Sequence, residues 1–168
     1  MNKPARFVAA AAAAAILLTG CSAPPNAAAV VGGQRVPDSE AQAVAGAITA
    51  VTGAEASASL RQAAYDLTLG EASRQIADRL GLTLSEAGKK AVIEGNQAAQ
   101  MVAGTPEGAP WADAVGTTYA LLQEVGSDQF REELAKTPIT FNPRYGNWDP
   151  VELGLTSGAL SQPTQIQA

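Results

Sequence analysis

Apolar residues recur at intervals of three and four along much of the chain, which is the spacing of one face of an α-helix. This spacing predicts a first helix over about 38–51 and a second over 59–80, with Ser59 as the cap of the second. Gly70 is a point at which the second helix would kink or divide. Each helix is followed by a glycine, the residue that most readily forms a helix C-terminus: Gly53 and Gly81.

The same spacing continues through the next fifty residues and predicts three further helices. One begins with Thr83 as its cap and runs unbroken to Gly104. The next starts at Pro110, since proline suits the first turn of a helix, and ends at Gly126. A short helix then begins at Ser127. The pattern therefore predicts a protein that is mostly α-helical.

Two stretches lack the helical spacing and favour β-strands instead. Residues 28–31 and 34–36 are short apolar stretches on either side of a Gly-Gly pair, which is typical of a small hairpin. Residues 139–141 alternate apolar and polar positions. A lone short strand is unstable in water, so we expect 28–31 to pair with 139–141. The predicted fold is a helical domain with a small two- or three-stranded sheet that joins the N- and C-terminal ends of the domain.

The first twenty residues are typical of a bacterial secretion signal. Lys3 and Arg6 precede an apolar stretch, 7–18, that is shorter than the roughly 20 residues needed to span a bilayer. The stretch ends in Leu-Thr-Gly-Cys at 18–21, which resembles the lipobox of bacterial lipoproteins. The resemblance implies cleavage before Cys21 and attachment of a diacylglycerol and an N-acyl chain to this residue. Cys21 is also the only cysteine in the 168 residues.

These observations divide the chain into four parts. Residues 1–20 are the expected lipoprotein signal peptide, and 21–27 are a tether to the lipid anchor. Residues 28–149 are the helical domain, and 150–168, which have no helical spacing, are expected to be a disordered tail. The expected location is the extracytoplasmic face of the cell membrane, held there by the lipid.

Charge and composition exclude several functional classes. The sequence has no histidine, which excludes Ser-His-Asp and Cys-His catalytic sites and histidine-containing zinc sites. Beyond residue 20 the chain carries nine basic and all 16 acidic residues, so we expect no nucleic-acid partner. Adjacent Glu132 and Glu133 are interpreted as a solvated helix face. We therefore expect a protein that is not an enzyme and has no cofactor or metal beyond its lipid.

Three stretches resemble the N-terminal domain of SurA-like periplasmic foldases. Residues 28–36 are similar to the family's opening strand, and 77–87, Ala-Asp-Arg-Leu-Gly-Leu-Thr-Leu-Ser-Glu-Ala, are similar to its helix junction. Residues 142–149 resemble the "NPRYG-x-W" ending of SurA-like lipoproteins from actinobacteria. Together the likeness covers about 28–149. A parvulin-type isomerase domain is not expected, because the 19 residues after Asp149 are too few and the histidines of such sites are absent.

The resemblance implies chaperone-like binding of unfolded or extended segments of exported proteins, in an apolar groove between helices. The alternative is a structural lipoprotein with one fixed partner in the cell envelope. Candidate groove residues are large side chains on the helix faces, although ordinary core packing is the favoured interpretation of any single one: Tyr65, Leu69, Met101, Trp111 and Tyr119. A second set is interpreted as a structural closing motif, with Arg144 paired to a carboxylate: Asn142, Pro143, Arg144, Tyr145, Gly146 and Trp148.

Overall fold

The structure is a computed structural model that describes residues 24–156. The predicted signal peptide, Cys21 and residues 157–168 lie outside this part of the chain. The helices of the described part are α1 Asp38–Thr52, α2 Ala56–Leu80, α3 Glu86–Glu94, α4 Gln97–Ala103 and α5 Ala109–Ala135. Its strands are β1 Ala27–Val31, β2 Gln34–Pro37, β3 Ile139–Phe141, β4 Asn147–Asp149 and β5 Gly154–Thr156. The predicted fold class, mostly helical with a small sheet, is confirmed.

A three-stranded antiparallel sheet joins the two ends of the helical domain. Its strand order is β2-β1-β3, with Ala29 opposite Phe141 and Val31 opposite Ile139. Ala29 and Val31 are fully buried, and Phe141 is nearly so, because this sheet packs on the helices. The pairing of the two distant strands is therefore confirmed. The tether was expected to end at 27, but Ala27 is itself a buried residue of β1.

Small residues set the spacing of the helices. Gly70 on α2 lies so close to Ala114 on α5 that a Cβ built on the glycine would overlap both the side chain and the backbone of Ala114. Gly116 approaches the backbone of Lys89 on α3 in the same way. The prediction that Gly70 kinks or divides α2 is wrong, because α2 continues unbroken through it. This glycine instead permits close packing.

Some helix ends lie where the sequence predicts them, and others do not. Gly81 has φ +67, and the Leu82 amide donates to the Ala77 carbonyl at 2.9 Å, the Schellman stop that the sequence predicts. The cap of α2 is Glu55, whose carboxylate accepts from two backbone amides. Ser59 is buried inside the helix instead, where it accepts from the Thr49 hydroxyl at 2.8 Å.

The helix predicted from Thr83 to Gly104 is two helices. Ser85, not Thr83, caps α3, since its hydroxyl accepts from the Gly88 amide at 3.0 Å. The chain leaves the helix at Gly95, and Asn96 starts α4 by accepting from the Ala99 amide at 3.0 Å. An asparagine side chain in this position competes with the helical hydrogen bonds, which explains the break.

Gly126 divides the last helix, as the sequence predicts. Its backbone has φ +78 and ψ 166, far from helical values, within the span of α5. The segment after it carries Phe130 and Leu134 toward α2.

A second antiparallel hairpin follows β3 and corrects the expected tail. Asn147 lies opposite Thr156 and Trp148 opposite Leu155, so the ordered fold reaches at least residue 156 instead of ending at 149. The Asp149 carboxylate accepts from the amides of Val151, at 2.8 Å, and Glu152, at 3.1 Å. Such a turn orders a segment whose composition alone suggests a loose end.

The closing motif ties this region to the start of α1. Tyr145 is buried, and its hydroxyl and the Arg144 guanidinium both donate to the Asp38 carboxylate. Burial disfavours the charge on Asp38, but the hydrogen bonds from Tyr145, Arg144 and Gln42 outweigh it and lower the pKa of this carboxyl. Asn142 donates to the Ala27 carbonyl at 3.1 Å.

Pro143 and Gly146 shape the turn of this motif. The Gly146 amide donates to the Pro143 carbonyl at 3.2 Å, and Gly146 has φ +130. The turn brings Trp148 against Phe141, with ring centroids 5.9 Å apart. The aromatic stack joins β3 of the three-stranded sheet to β4 of the second hairpin.

Candidate functional site

One face of α2 is lined by two clefts that meet at Tyr65. Ala58, Arg61, Gln62, Tyr65 and Leu69 recur at the three- and four-residue spacing of a single helical stripe. The first cleft, here called the hairpin cleft, has a volume of about 320 Å³ and lies between this stripe and Leu155 of β5. The second, here called the helix cleft, is of similar volume and lies between α2, the end of α5 and the turn before β5. We call the two clefts together the α2 groove.

The helix cleft is mainly apolar, with charged groups at its rim. Its residues are Tyr65, Leu69, Leu122, Ser127, Phe130, Arg131, Leu134, Glu152 and Leu153. Leu122 is half-buried yet does not pack against the main core, which leaves its side chain to the cleft. Gly126 bends α5 beside the cleft and thereby directs Phe130 toward its wall.

The turn between β4 and β5 crosses the α2 groove. The Tyr65 hydroxyl donates to the Leu153 carbonyl at 2.9 Å, joining residues 88 positions apart. Burial and the nearby Asp66 charge raise the pKa of Tyr65. Leu153 has φ +52, the only positive φ of a non-glycine residue between 24 and 156. A leucine held in this conformation is strained.

A half-buried carboxylate lies one residue beyond Tyr65. Asp66 accepts from the Trp111 indole nitrogen at 2.7 Å and from the Gln62 amide at 2.8 Å. Burial raises the pKa of Asp66, although both hydrogen bonds oppose the shift. The cluster packs the start of α5 against α2.

The structure distributes the five predicted groove residues unevenly. Tyr65 and Leu69 line the α2 groove. Trp111 instead covers Asp66, and Tyr119 is half-buried on α5 outside both clefts. Met101 lies on α4, where its side chain is 55% exposed. Of the five predicted residues, only Tyr65 and Leu69 therefore share a groove, and their proposed role in binding stays a prediction.

Several residues that line the α2 groove are not among the five predicted groove residues. Leu122, Phe130 and Leu134 lie on the apolar face that the sequence pattern marks as core, and only the bend at Gly126 shows that they border a cleft. Leu153 and Leu155 come from residues expected to be a tail. No local pattern identifies them.

The adjacent residues Glu132 and Glu133 lie in different surroundings. Glu132 is exposed, whereas Glu133 is 9% exposed and pairs with Lys136 and with Arg79, both at 2.9 Å. Hydrogen bonds from Lys136 and Arg79 lower the pKa of Glu133. The expectation of a solvated face is wrong for Glu133, which joins α5 to the end of α2.

The groove has cationic side chains at its rim. Between residues 24 and 156, neither Arg61 nor Arg131 forms an ion pair. The same part of the chain has no cluster of three metal-ligating side chains, and none of its helices has the length and apolar character of a bilayer span. The arrangement suits binding through apolar contact, hydrogen bonds and charge.

Comparisons of the chain with protein-family models, curated proteins and solved structures found no match. The likeness to SurA-like foldases therefore stays a prediction from the residues quoted above.

Proposed function

We propose that this chain is a lipid-anchored binding protein of the extracytoplasmic membrane face that holds extended apolar segments of exported proteins. The observation that carries the proposal is the α2 groove, an apolar cleft continued by the hairpin cleft beside an edge strand. Extended chains are recognised by this combination, since a strand edge offers backbone hydrogen bonds and a cleft takes side chains.

Three features support binding over catalysis. The groove is lined mainly by leucine and aromatic side chains, with Tyr65 at its centre. Its charged residues, Arg61, Arg131 and Glu152, are exposed at the rim, where they would meet a bound chain rather than a reacting atom. The sequence has no histidine to act as a general base or as an isomerase residue. In this proposal the acyl chains on Cys21 keep the groove near polypeptides that emerge from the membrane.

An aggregation assay tests the proposed activity. Residues 22–168, added at equimolar concentration, should slow the aggregation of reduced insulin and of a second, unrelated denatured protein. The same preparation should not accelerate cis/trans exchange in a proline peptide. Protection of neither protein would contradict the proposal, and recovery of one envelope protein in fixed ratio would then favour the fixed-partner alternative.

The lipid anchor is tested separately at Cys21. The Cys21→Ser variant should remain an uncleaved precursor without acyl chains, whereas the unaltered chain should begin with a triacylated cysteine. Mass spectrometry of the N-terminal peptide distinguishes the two. An unmodified N-terminus at another position in the unaltered protein would contradict the lipoprotein assignment.

A further inference from the structure

The chain enters the fold through a hydrogen-bonded turn that starts at Pro24. The Ala27 amide donates to the Pro24 carbonyl at 2.9 Å, and Ala27 is fully buried as the first residue of β1. The Asp38 amide donates to the Asn26 carbonyl at 3.1 Å, which holds the turn against the start of α1. The backbone is therefore attached to the domain from Pro24 onward, and only three residue steps separate Pro24 from Cys21.

This connection is short in comparison with the domain. Three residues span no more than about 11 Å when fully extended. With the acyl chains of Cys21 in the hydrocarbon core, the connection must first cross the polar layer of one leaflet, which is about 5–8 Å thick. Pro24 then lies no more than about 3–6 Å above the head groups. The 25 residues of α2 alone form a helix about 37 Å long, so most of the domain's surface is held away from the membrane.

The surface around the turn belongs to one end of the three-stranded sheet. β1 is the central strand, with Ala27 opposite Pro37 of β2, and the Ala27 carbonyl accepts from Asn142, which follows β3. Elements on both sides of β1 therefore end beside the turn. We call the exposed residues at this place the tether end: Pro25, Asn26, Pro37, Ser39, Pro143 and Arg144. A membrane close to Pro24 meets this surface first.

The tether end has few exposed charges, although the chain as a whole has a net charge of −5. Arg144 is the one charged residue among its six, and it is paired with Asp38. Of the two acidic residues in the first turn of α1, Asp38 is buried and Glu40 is half-buried. The tether end can therefore approach lipid head groups without bringing a fully exposed carboxylate to them.

α1 leads from the tether end to the hairpin cleft. It begins at Asp38, and near its other end the Thr49 hydroxyl donates to Ser59 at 2.8 Å, beside Ala58 of the hairpin cleft. The rise of the helix places Thr49 about 16 Å from Asp38. The hairpin cleft and the tether end are therefore at opposite ends of α1.

We propose that the short connection to Cys21 holds the tether end against the lipid head groups, with the hairpin cleft at the distal end of α1. This assignment rests on the proposed lipid anchor and adds which surface of the domain faces the membrane. The partner of the tether end is a bilayer surface. The hairpin cleft is held away from the head groups, where an extended polypeptide can enter it.

Two labelled variants test which end of α1 faces the membrane. Lipid modification converts the sulfur of Cys21 to a thioether, so one introduced cysteine is the only free thiol of the mature protein. Ser39→Cys places the thiol at the tether end. Ala54→Cys, its matched control, places it just beyond the end of α1, and both positions are exposed. Thermal melts show whether each variant folds.

The readout is fluorescence quenching by lipid head groups. Acylated protein, produced from the full-length chain, is labelled with nitrobenzoxadiazole and reconstituted into vesicles of phosphatidylcholine and phosphatidylglycerol, with or without nitroxide-labelled head groups. Quenching should be at least about threefold stronger at position 39 than at position 54, because roughly 20 Å of helix separates the two. Equal quenching, or stronger quenching at position 54, would overturn the assignment of the membrane-facing end.

A longer connection tests whether the tether imposes this orientation. Insertion of about twelve glycine and serine residues before Pro24 gives a flexible segment with a root-mean-square length of about 20 Å. Quenching at position 39 should then fall by at least about twofold, since the domain can leave the head groups. Unchanged quenching would contradict the proposal, because the short connection would not be what positions the tether end.

Mass spectrometry of the N-terminal peptide separates this proposal from the one on which it rests. An unacylated Cys21 would reject the lipid anchor and the membrane-facing end together. Acylated, vesicle-bound protein with equal quenching at the two positions would reject the membrane-facing end alone. The proposed anchor and the α2 groove would then stand.

Discussion

Single residues decide how closely the helices approach one another. Gly70 and Gly46 both lie inside helices, but a Cβ on Gly70 would overlap Ala114, whereas a Cβ on Gly46 would meet nothing within 4 Å. The same substitution therefore has opposite expected effects at the two positions.

We expect Gly70→Ala to lower the free energy of unfolding by about 1–3 kcal/mol, because overpacking outweighs the gain in helix propensity. Gly46→Ala should raise it by about 0.5–1 kcal/mol, since only the propensity term applies. Urea denaturation followed by circular dichroism measures both. A stabilising effect of alanine at Gly70 would contradict the close approach of α2 and α5.

The contribution of Asp66 to the free energy of unfolding should be larger in acid than at neutral pH. Burial raises the pKa of this carboxyl above the ordinary 3.8, so the folded state holds the proton more tightly than the unfolded state does. Its contribution to stability is therefore fully present below pH 3.8 and is lost as the pH rises through the raised folded value.

Asp66→Asn removes this titration and keeps an oxygen that can accept from Trp111. The difference in unfolding free energy, unaltered protein minus variant, should therefore fall as the pH increases from 3 to 7 and then stay constant. Urea titrations across that range, monitored by tryptophan fluorescence, measure the difference. A difference that increases with pH would show that the carboxylate is stabilised in the fold.

At the residue scale the sequence identified Tyr65 and Leu69 but not the cleft they line. A helical pattern shows which side chains share a face, and it does not show whether a neighbouring element covers that face. Trp111 is a candidate by size, but its indole nitrogen donates a hydrogen bond to Asp66, and the side chain lines neither cleft. Leu153 was unpredictable because its position depends on a hydrogen bond from 88 residues away.

Elements near the ends of the domain depend on one another. β1 has β2 on one side and β3 on the other, and the closing motif joins the region after β3 to Asp38 at the start of α1. Two isolated short strands would not be stable in water. The stability of β1 and of the start of α1 therefore depends on β3 and the closing motif.

Two truncations test this dependence. Ending the chain after Lys136 removes β3 together with Arg144 and Tyr145, which donate to Asp38, so we expect no cooperative thermal transition. Ending it after Pro150 retains all of these and removes β5 and the turn, so we expect a cooperative transition lowered by roughly 5 °C. Equal melting temperatures for the two truncations would show that the pairing of β1 with β3 contributes little.

At the element scale the sequence predicted most of the architecture. Helix faces, the stops at Gly81 and Gly126, and the pairing of β1 with β3 follow from local rules of periodicity and turn chemistry. The break before Asn96 and the hairpin of β4 and β5 do not follow from these rules. Both depend on a side chain that accepts hydrogen bonds from backbone amides. The spacing of apolar residues does not reveal such hydrogen bonds.

In the whole molecule, the apolar lining of the α2 groove lies on one side of α2, and the exposed Met101, also a predicted groove residue, lies outside it. Leu122 faces the helix cleft without belonging to the main core, whereas Met101 is exposed on α4. Both are helical residues of similar size, so the same substitution at each compares a residue that lines the cleft with an exposed residue outside it. Neither replacement needs to disrupt the core.

The most direct test of the account is the affinity of these two variants for a permanently unfolded protein. Fluorescein-labelled, reduced and carboxymethylated α-lactalbumin is titrated with unaltered protein, Leu122→Glu and Met101→Glu, each first shown to melt normally. Leu122→Glu should weaken binding by about tenfold or more, because a charge replaces apolar surface in the α2 groove. Met101→Glu should leave binding within about twofold of the unaltered protein. Equal affinity of all three, or a loss confined to Met101→Glu, would contradict the assignment of the α2 groove as the binding site.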